Sequence, residues 1–288
     1  MKPQTSNFKL TTPKIGMPSS AMVLAPWTKA IQAAAANDFD AFEVVIVYPS
    51  ADLDSITPHE ITKAKAISEK KGMEICVHAP FFELNIAGYC QGIRNTSVRY
   101  IKKATDLCAA LGGNILIVHA GNYIYNFPPG TTPDNYPLMK IQWDNNIESL
   151  RKINDYANDK GLIVCLENIG DRAIDKTFEH LLEIRQSVGD SLKFTLDIGH
   201  ARLWAEGGVE RGLKVLGDNI RHIHFTDNNG IEDDHLPIGD GNSDYSGFMR
   251  FIRAFPHIVT LEVLDIGYDP ATIIRSREYF TKLCEINS

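Results

Sequence analysis

Cysteine is scarce and unpaired in this chain. The five residues, Cys76, Cys90, Cys108, Cys165 and Cys284, are odd in number and contain no C-x-x-C spacing. This excludes a disulfide framework and a cysteine-built zinc site as organising features, and it leads us to expect a reducing, cytoplasmic setting. No apolar run reaches the length of a membrane span, and the opening "MKPQTSNFKL" lacks the apolar core of a signal peptide, so no membrane association is expected. Excess positive charge is absent too: 29 Lys and Arg stand against 36 Asp and Glu, a formal charge of −7. That balance disfavours a protein that grips nucleic acid through a broad basic face. It does not decide the matter alone, because bound divalent cations add positive charge that the count omits. Nucleotide fingerprints are also lacking. The first apolar run is followed by "SSAMVLAPW" rather than G-x-G-x-x-G, and G-x-x-x-x-G-K-[ST] occurs nowhere.

What the chain does have is a core. Hydrophobic residues make up 44% and charged residues 23% of 288 positions, enough apolar surface for one large globular domain. We expect a single domain over 13–288, with residues 1–12 as a polar lead-in. Short apolar runs alternate with longer stretches of helical period, the pattern of βα units. Strands are expected at 13–18, 41–47, 73–79, 114–120, 162–168, 193–198, 220–225 and 258–264. A helix is expected over 57–71, where Thr57-Pro58 reads as an N-cap with proline at the first helical position, and Ile61, Ala64 and Ile67 form one stripe. Eight strands with helices between them, and no dinucleotide fingerprint, fit an α/β fold of the closed (β/α)8 TIM-barrel type better than an open doubly wound sheet. Two long irregular segments, 121–137 after the fourth strand and 226–245 after the seventh, are expected to wall a site.

In such a barrel every strand delivers its C-terminal end to one rim. The third strand ends on His78, the fourth on His119, the fifth on Glu167. The sixth ends on Asp197 with His200 just beyond, the seventh on His224, and the eighth on Glu262. The loop after the seventh adds Asp233 and His235. A lone histidine at a strand end is usually a hydrogen-bonded structural residue. Nine imidazoles and carboxylates converging on one mouth are another matter, since ionised carboxylates in an apolar barrel need a compensating cation. Nitrogen and oxygen donors without thiolate suit zinc first, with manganese or cobalt as alternatives, and the number of donors allows one to three ions per chain. His222, one layer deeper than His224, is expected to be a core or supporting histidine, and Asn168 to orient Glu167. Glu43 and Asp227 are assigned no more than supporting or ordinary polar roles. Cys76 and Cys165 face inward as inert fillers, whereas His59, His180 and His257 fall on helices or turns. Phe81, Phe82, Tyr123, Tyr125 and Trp204 lie in rim segments; Phe81, Tyr123 and Trp204 are the candidates for stacking on a substrate, alongside His200.

With these residues in place, the chain resembles the xylose isomerase-like TIM-barrel superfamily, which contains sugar isomerases and epimerases and also zinc AP endonucleases of the endonuclease IV type. The resemblance runs from the first strand to Glu262. Its most specific parts are "LDIGH", "HIHFTDNNG", "DDHLPIGDG", "CLENIG" and "TLEVL". By resemblance to the endonuclease branch, His78, His119 and Glu167 would hold one ion. Glu167 would bridge to a second held by Asp197, His224 and Glu262, and His200, Asp233 and His235 would hold a third. By resemblance to the epimerase branch, a single ion would sit at Glu167, Asp197, His224 and Glu262. The two glutamates would then move protons at the substrate carbon, and His200 would contact a substrate hydroxyl. The stretch "PFFELNIAGYCQGIR" departs from the endonucleases in carrying the acidic Glu83 and few basic residues, and "GIEDDHLPIGDG" is acidic as well. Walls of that charge repel phosphates. The expectation is therefore a metal-dependent sugar or sugar-phosphate isomerase or epimerase acting on a small polar substrate, with Glu167 and Glu262 catalytic. A multinuclear zinc hydrolase of the phosphodiesterase type is the alternative, and a non-catalytic metal carrier a third class.

Overall fold

The computed structural model describes residues 13–170, 173–203 and 207–285. The expected lead-in over 1–12 lies outside them. Eight parallel strands close into a barrel in sequence order: β1 (Lys14–Pro18), β2 (Ala41–Val45), β3 (Glu74–His78), β4 (Ile115–His119), β5 (Ile163–Glu167), β6 (Lys193–Asp197), β7 (Ile220–Phe225) and β8 (Ile258–Leu261). Each falls within the run expected from sequence. The helices packed outside are α1 (Trp27–Ala36), α2 (Pro58–Lys71), α3 (Gln91–Leu111), α4 (Pro137–Asn158), α5 (Phe178–Val188), α6 (Ile198–Leu203), α7 (Gly208–Leu216), α8 (Met249–Ala254) and α9 (Ala271–Glu285). No helix among the described residues is long and apolar enough to cross a membrane.

Local chemistry sets these boundaries. Helix α2 opens on a capping box: the Thr57 hydroxyl accepts from the Glu60 amide at 3.3 Å, and the Glu60 carboxylate accepts from the Thr57 amide at 2.8 Å, with Pro58 following. It closes on Gly72 in the left-handed region, φ 64°. Ala64 is buried, and Ile61 and Ile67 are partly buried against the core, so the expected stripe faces the barrel. The main core lies between strands and helices. A second, smaller cluster of Ala41, Cys76, Ile115, Ile117, Cys165 and Ile258 fills the interior of the barrel.

Register decides which side chains meet at the rim. His119 stands beside Glu167 on the β4–β5 ladder, and Asp197 beside His224 on the β6–β7 ladder. Beyond Asp197 the chain turns directly into α6, and Gly199 is what allows it. A Cβ there would lie 2.5 Å from Thr226 Cγ2 and 3.3 Å from Asp197 Oδ1. This is why the apolar run of β6 breaks at a glycine between Asp197 and His200. Gly199→Ala should lower stability by about 1–3 kcal/mol through overpacking. Trimming the opposing methyl in a Gly199→Ala/Thr226→Ser double variant should recover part of that loss, as read by thermal or denaturant unfolding of the four proteins in the cycle.

Candidate metal centre

All nine residues expected at the mouth of the barrel meet there, in three groups, two of which share Glu167. Ligand-type atoms of His78, His119 and Glu167 lie within 4.8 Å of one another, as do those of His200, Asp233 and His235, and those of Glu167, Asp197, His224 and Glu262. Glu167 belongs to two groups. Its Oε2 is 3.2 Å from both His78 Nε2 and His119 Nε2, and its Oε1 is 3.0 Å from His224 Nδ1. Asp233 Oδ2 is 3.0 Å from the Nε2 atoms of both His200 and His235.

The donors fit divalent cations on three grounds. First, His78 Nε2 and His119 Nε2 are 3.1 Å apart, and with the other pairs at 3.0–3.2 Å they match donors around one tetrahedral ion, which stand about 3.3 Å apart when each bond is about 2.0–2.1 Å. Second, buried carboxylate oxygens lack partners. Asp197 Oδ2 and Glu262 Oε2 accept no hydrogen bond, although Glu262 Oε2 approaches His224 Nδ1 to 3.0 Å. Two ligand-type atoms that close without hydrogen-bond geometry are arranged as they would be around a shared cation. Third, the far ring nitrogens are tied down. His78 donates from Nδ1 to the Ala79 carbonyl at 2.9 Å, His200 to the Asn168 carbonyl at 2.9 Å, and His235 to the Glu262 carbonyl at 3.2 Å, which leaves each Nε2 free to point into its group. His224 is reversed: Nε2 donates to Glu43 Oε2 at 3.2 Å and Nδ1 faces Glu167 and Glu262. Such outer bonds fix tautomer and ring orientation.

Sequence reasoning underweighted the layer beneath. Glu43 is fully buried and accepts from the Thr260 hydroxyl at 3.0 Å as well as from His224. His222 touches the same oxygen at 3.4 Å and the Thr260 hydroxyl at 2.9 Å, in the supporting position expected of it. Asn168 does not orient Glu167. Its side chain brackets the Asp197 backbone, donating to the carbonyl at 3.0 Å and accepting from the amide at 2.7 Å. Asn168 is the first residue past the end of β5, where its side chain reaches the backbone of the neighbouring β6 instead of the Glu167 carboxylate.

Over this floor lies a cavity of about 420 Å³. His78, His119, Glu167, His200, Asp233, His235 and Glu262 line its base. Phe81, Phe82, Leu84, Ile86 and Ile101 form an apolar wall, and no lysine or arginine is among the lining residues that the structure describes. Phe81 packs on the rings of His119 and His78, with centroids 4.6 and 5.1 Å apart. Tyr123 is not on the wall. It is buried in the core against Phe127, with the Lys176 ammonium 5.4 Å from its ring, so its role is packing and not stacking on a substrate. Trp204 lies outside the described residues.

Burial opposes charge on every member of the set, and the partners outweigh it on most of them. His224, His119 and His78 hold the Glu167 carboxyl well below its usual range, and His224 and His235 bring Glu262 down to about 2. Carboxylates in turn hold His200 and His224 well above the usual histidine range and His235 at about 10. Asp197 goes the other way, pushed up to about 8 by burial and by Glu262 and Glu167. Without an ion, the values of His235 and Asp197 favour their protonated forms at pH 7 and the upward shifts of His200 and His224 act in the same direction, so donors must shed protons to bind a metal. Loading chelator-treated protein with Zn²⁺ at pH 7 should release more than one proton per chain, measured by calorimetry in buffers of different ionisation heat. Release of none would contradict this charge state.

The comparisons with known proteins agree with the geometry. The family described as "Xylose isomerase-like TIM barrel" matches residues 31–283. An uncharacterised protein of Methanocaldococcus jannaschii is 31% identical over 272 residues, covering 92% of this chain and 84% of that one. Fructoselysine 3-epimerase of Escherichia coli O157:H7 is 25% identical over 263 residues, covering 87% and 90%. Among solved structures, a D-tagatose 3-epimerase-like protein superposes with a TM-score of 0.78 at 28% identity, covering 95% of this chain and 97% of that one. The closed eight-stranded barrel, the rim of imidazoles and carboxylates and these matches place the chain in the xylose isomerase-like TIM-barrel family.

Proposed function

We propose that the protein is a metal-dependent epimerase or isomerase of a small hydroxylated ketone, a free sugar rather than a sugar phosphate. The observation that carries this reading is the pair of cavity-lining glutamates, Glu167 and Glu262, whose carboxylates both approach His224 Nδ1 to 3.0 Å from different strands. The likeness to two 3-epimerase relatives supports it. Among the described residues the cavity lining carries four carboxylates, Glu83, Glu167, Asp233 and Glu262, and no lysine or arginine, which favours a substrate without phosphate.

Glu167, Asp197, His224 and Glu262 would hold the ion, with zinc the first expectation and manganese or cobalt the others. A divalent ion there supplies a Lewis acid that acidifies a C–H bond next to a carbonyl. The remaining chemistry belongs to the chain. Both glutamates are held in the ionised form, so either can accept the carbon-bound proton. One carboxylate takes that proton and leaves the substrate as an enediolate. The other, which must first take up a proton from solvent, delivers it to the opposite face and inverts the centre, and the first carboxyl then gives up its proton to solvent. His200 is placed to donate to a substrate hydroxyl, and Phe81 to cover the apolar face of the sugar.

The test is solvent-deuterium incorporation at the carbon next to the carbonyl across a panel of free and phosphorylated ketoses, using metal-loaded protein. Label should enter free ketoses; none across the whole panel would overturn the reading. In Glu262→Gln the rate should fall about 10²–10⁴-fold, while elemental analysis still finds bound metal. Loss of metal in step with activity would instead make Glu262 a ligand without a proton-transfer role.

A second reading rests on a separate observation: His78 and His119 with Glu167, and Asp233 and His235 with His200, form two further donor groups, and one-ion epimerisation has no necessary use for His78, His119, Asp233 and His235. Three ions would suit a hydrolase, in which water of lowered pKa attacks a phosphodiester. Cleavage of abasic DNA or a simple phosphodiester, dependent on more than one zinc per chain, would favour it.

A further inference from the structure

Asp233 and His235 differ from the other members of the centre. The others stand at strand ends or on α6, fixed by the barrel ladder, whereas these two sit in a segment between β7 and α8 with no regular secondary structure beyond one bridge, Asp227 to Leu236. His235 also holds a backbone that a side chain rarely adopts, φ 45°, and Asp233 is part-exposed. A loop of this length does not hold a strained histidine in place unaided. His235 is tied to the segment after β8, its carbonyl accepting from the Leu264 amide at 3.1 Å and its Nδ1 donating to the Glu262 carbonyl at 3.2 Å, and two side chains hold the base of the loop. The Asp227 carboxylate accepts from four backbone amides, Asn228 at 2.9 Å, Gly239 and Gly241 at 3.0 Å and Ser243 at 3.2 Å. A Cβ at Gly241 would lie 2.4 Å from that carboxylate, which accounts for the glycine. Arg202 crosses the base of the loop. Its Nη1 donates to the Asn228 carbonyl at 2.5 Å, the Asn228 side-chain oxygen at 3.0 Å and the Ser243 hydroxyl at 2.6 Å. Its Nη2 donates to the Asn242 carbonyl at 3.2 Å and to the Asn242 side chain.

Arg202 lies on the same short helix as His200, two residues further on. The helix that supplies one donor of the group thus also grips both ends of the loop that supplies the other two. From this we infer that Arg202 is a positioning residue for the His200, Asp233 and His235 group. By fixing the loop to α6 it brings Asp233 and His235 to His200, and it acts on this group without touching the other two. The planar guanidinium is suited to the task because five donors in a fixed fork reach acceptors on both strands of the loop base at once. Lysine, with a single ammonium, cannot span them. The effect on metal rests on the reading of these groups as cation sites; the effect on the loop does not.

The experiment compares the full-length protein with Arg202→Met, Arg202→Lys and Ser243→Ala, the last removing a single acceptor in case the methionine variant does not fold. Zinc binding is measured by competition with a chromophoric chelator, and hydrogen exchange by mass spectrometry. In Arg202→Met one class of zinc should weaken about 10–100-fold, the range for loss of an outer supporting bond, with the other classes unchanged. Exchange should rise in 228–243 and not in the barrel strands. Arg202→Lys should fall between it and the parent, and Ser243→Ala should move in the same direction by less. Weakening of all classes together, no weakening, or an exchange rise spread over the barrel would overturn the inference. If the parent protein takes up no zinc, the cation reading has failed, and exchange alone decides: a rise confined to 228–243 upholds the role of Arg202, and any other pattern refutes it.

Discussion

The structure turns on one buried imidazole. His224 is fully enclosed, with Glu43 against one nitrogen and Glu167 and Glu262 against the other. Three carboxylates around one ring put more negative charge there than a single histidinium can offset, and the Asp197 carboxyl 3.8 Å away is pushed towards its neutral form by the same crowding. The Thr260 hydroxyl donates to Glu43 Oε2, but Glu43 Oε1, Asp197 Oδ2 and Glu262 Oε2 remain without a donor. A cation at the upper nitrogen answers that excess. The same arrangement would serve catalysis, because carboxylates kept ionised and close to a divalent charge are bases placed where a substrate carbonyl would be polarised.

Everything else in the upper half of the barrel serves to place donors around that point. The closed ladder fixes His78, His119, Glu167, Asp197 and His224 through backbone pairing, which is the stiffest means available. Asn168 ties the ends of β5 and β6 together, and α6 begins at once so that His200 folds back over Asp197, its amide 2.6 Å from Asp197 Oδ1. The apolar wall built by the loop after β3 stands across the cavity from these polar groups. A cavity polar at the base and apolar along one side suits a molecule with hydroxyls on one edge and C–H faces elsewhere, as a sugar has.

Much of this was legible in the sequence because a (β/α)8 barrel converts strand ends into a common rim. Once eight apolar runs were identified, the residues at their C-terminal ends had to meet, and those nine do. What escaped depended on direction rather than position. Glu43 lies in "AFEVVIV", a run apolar on both faces as strands of a covered parallel sheet are, so alternation did not reveal that the carboxylate points inward. Asn168 is the first residue past the end of β5, and its side chain reaches the backbone of the neighbouring strand. Tyr123 sits in a loop, where no period fixes a side chain's direction, and it turned into the core. Arg202 gave no signal because its partners are backbone carbonyls, amide side chains and a hydroxyl 26 to 41 residues away in a segment whose path the sequence does not specify.

The most direct measurement is metal content per chain by elemental analysis, on protein purified without chelator and without a histidine tag, followed by thermal unfolding before and after chelation. Tightly held divalent metal, with a clear fall in Tm when it is removed and recovery when it is restored, is the result that the buried, partly unpartnered carboxylates around His224 require. Protein that is metal-free as isolated, takes up no zinc, manganese or cobalt, and unfolds at the same temperature throughout would show that protons alone balance this site, and the proposed chemistry would fall with it.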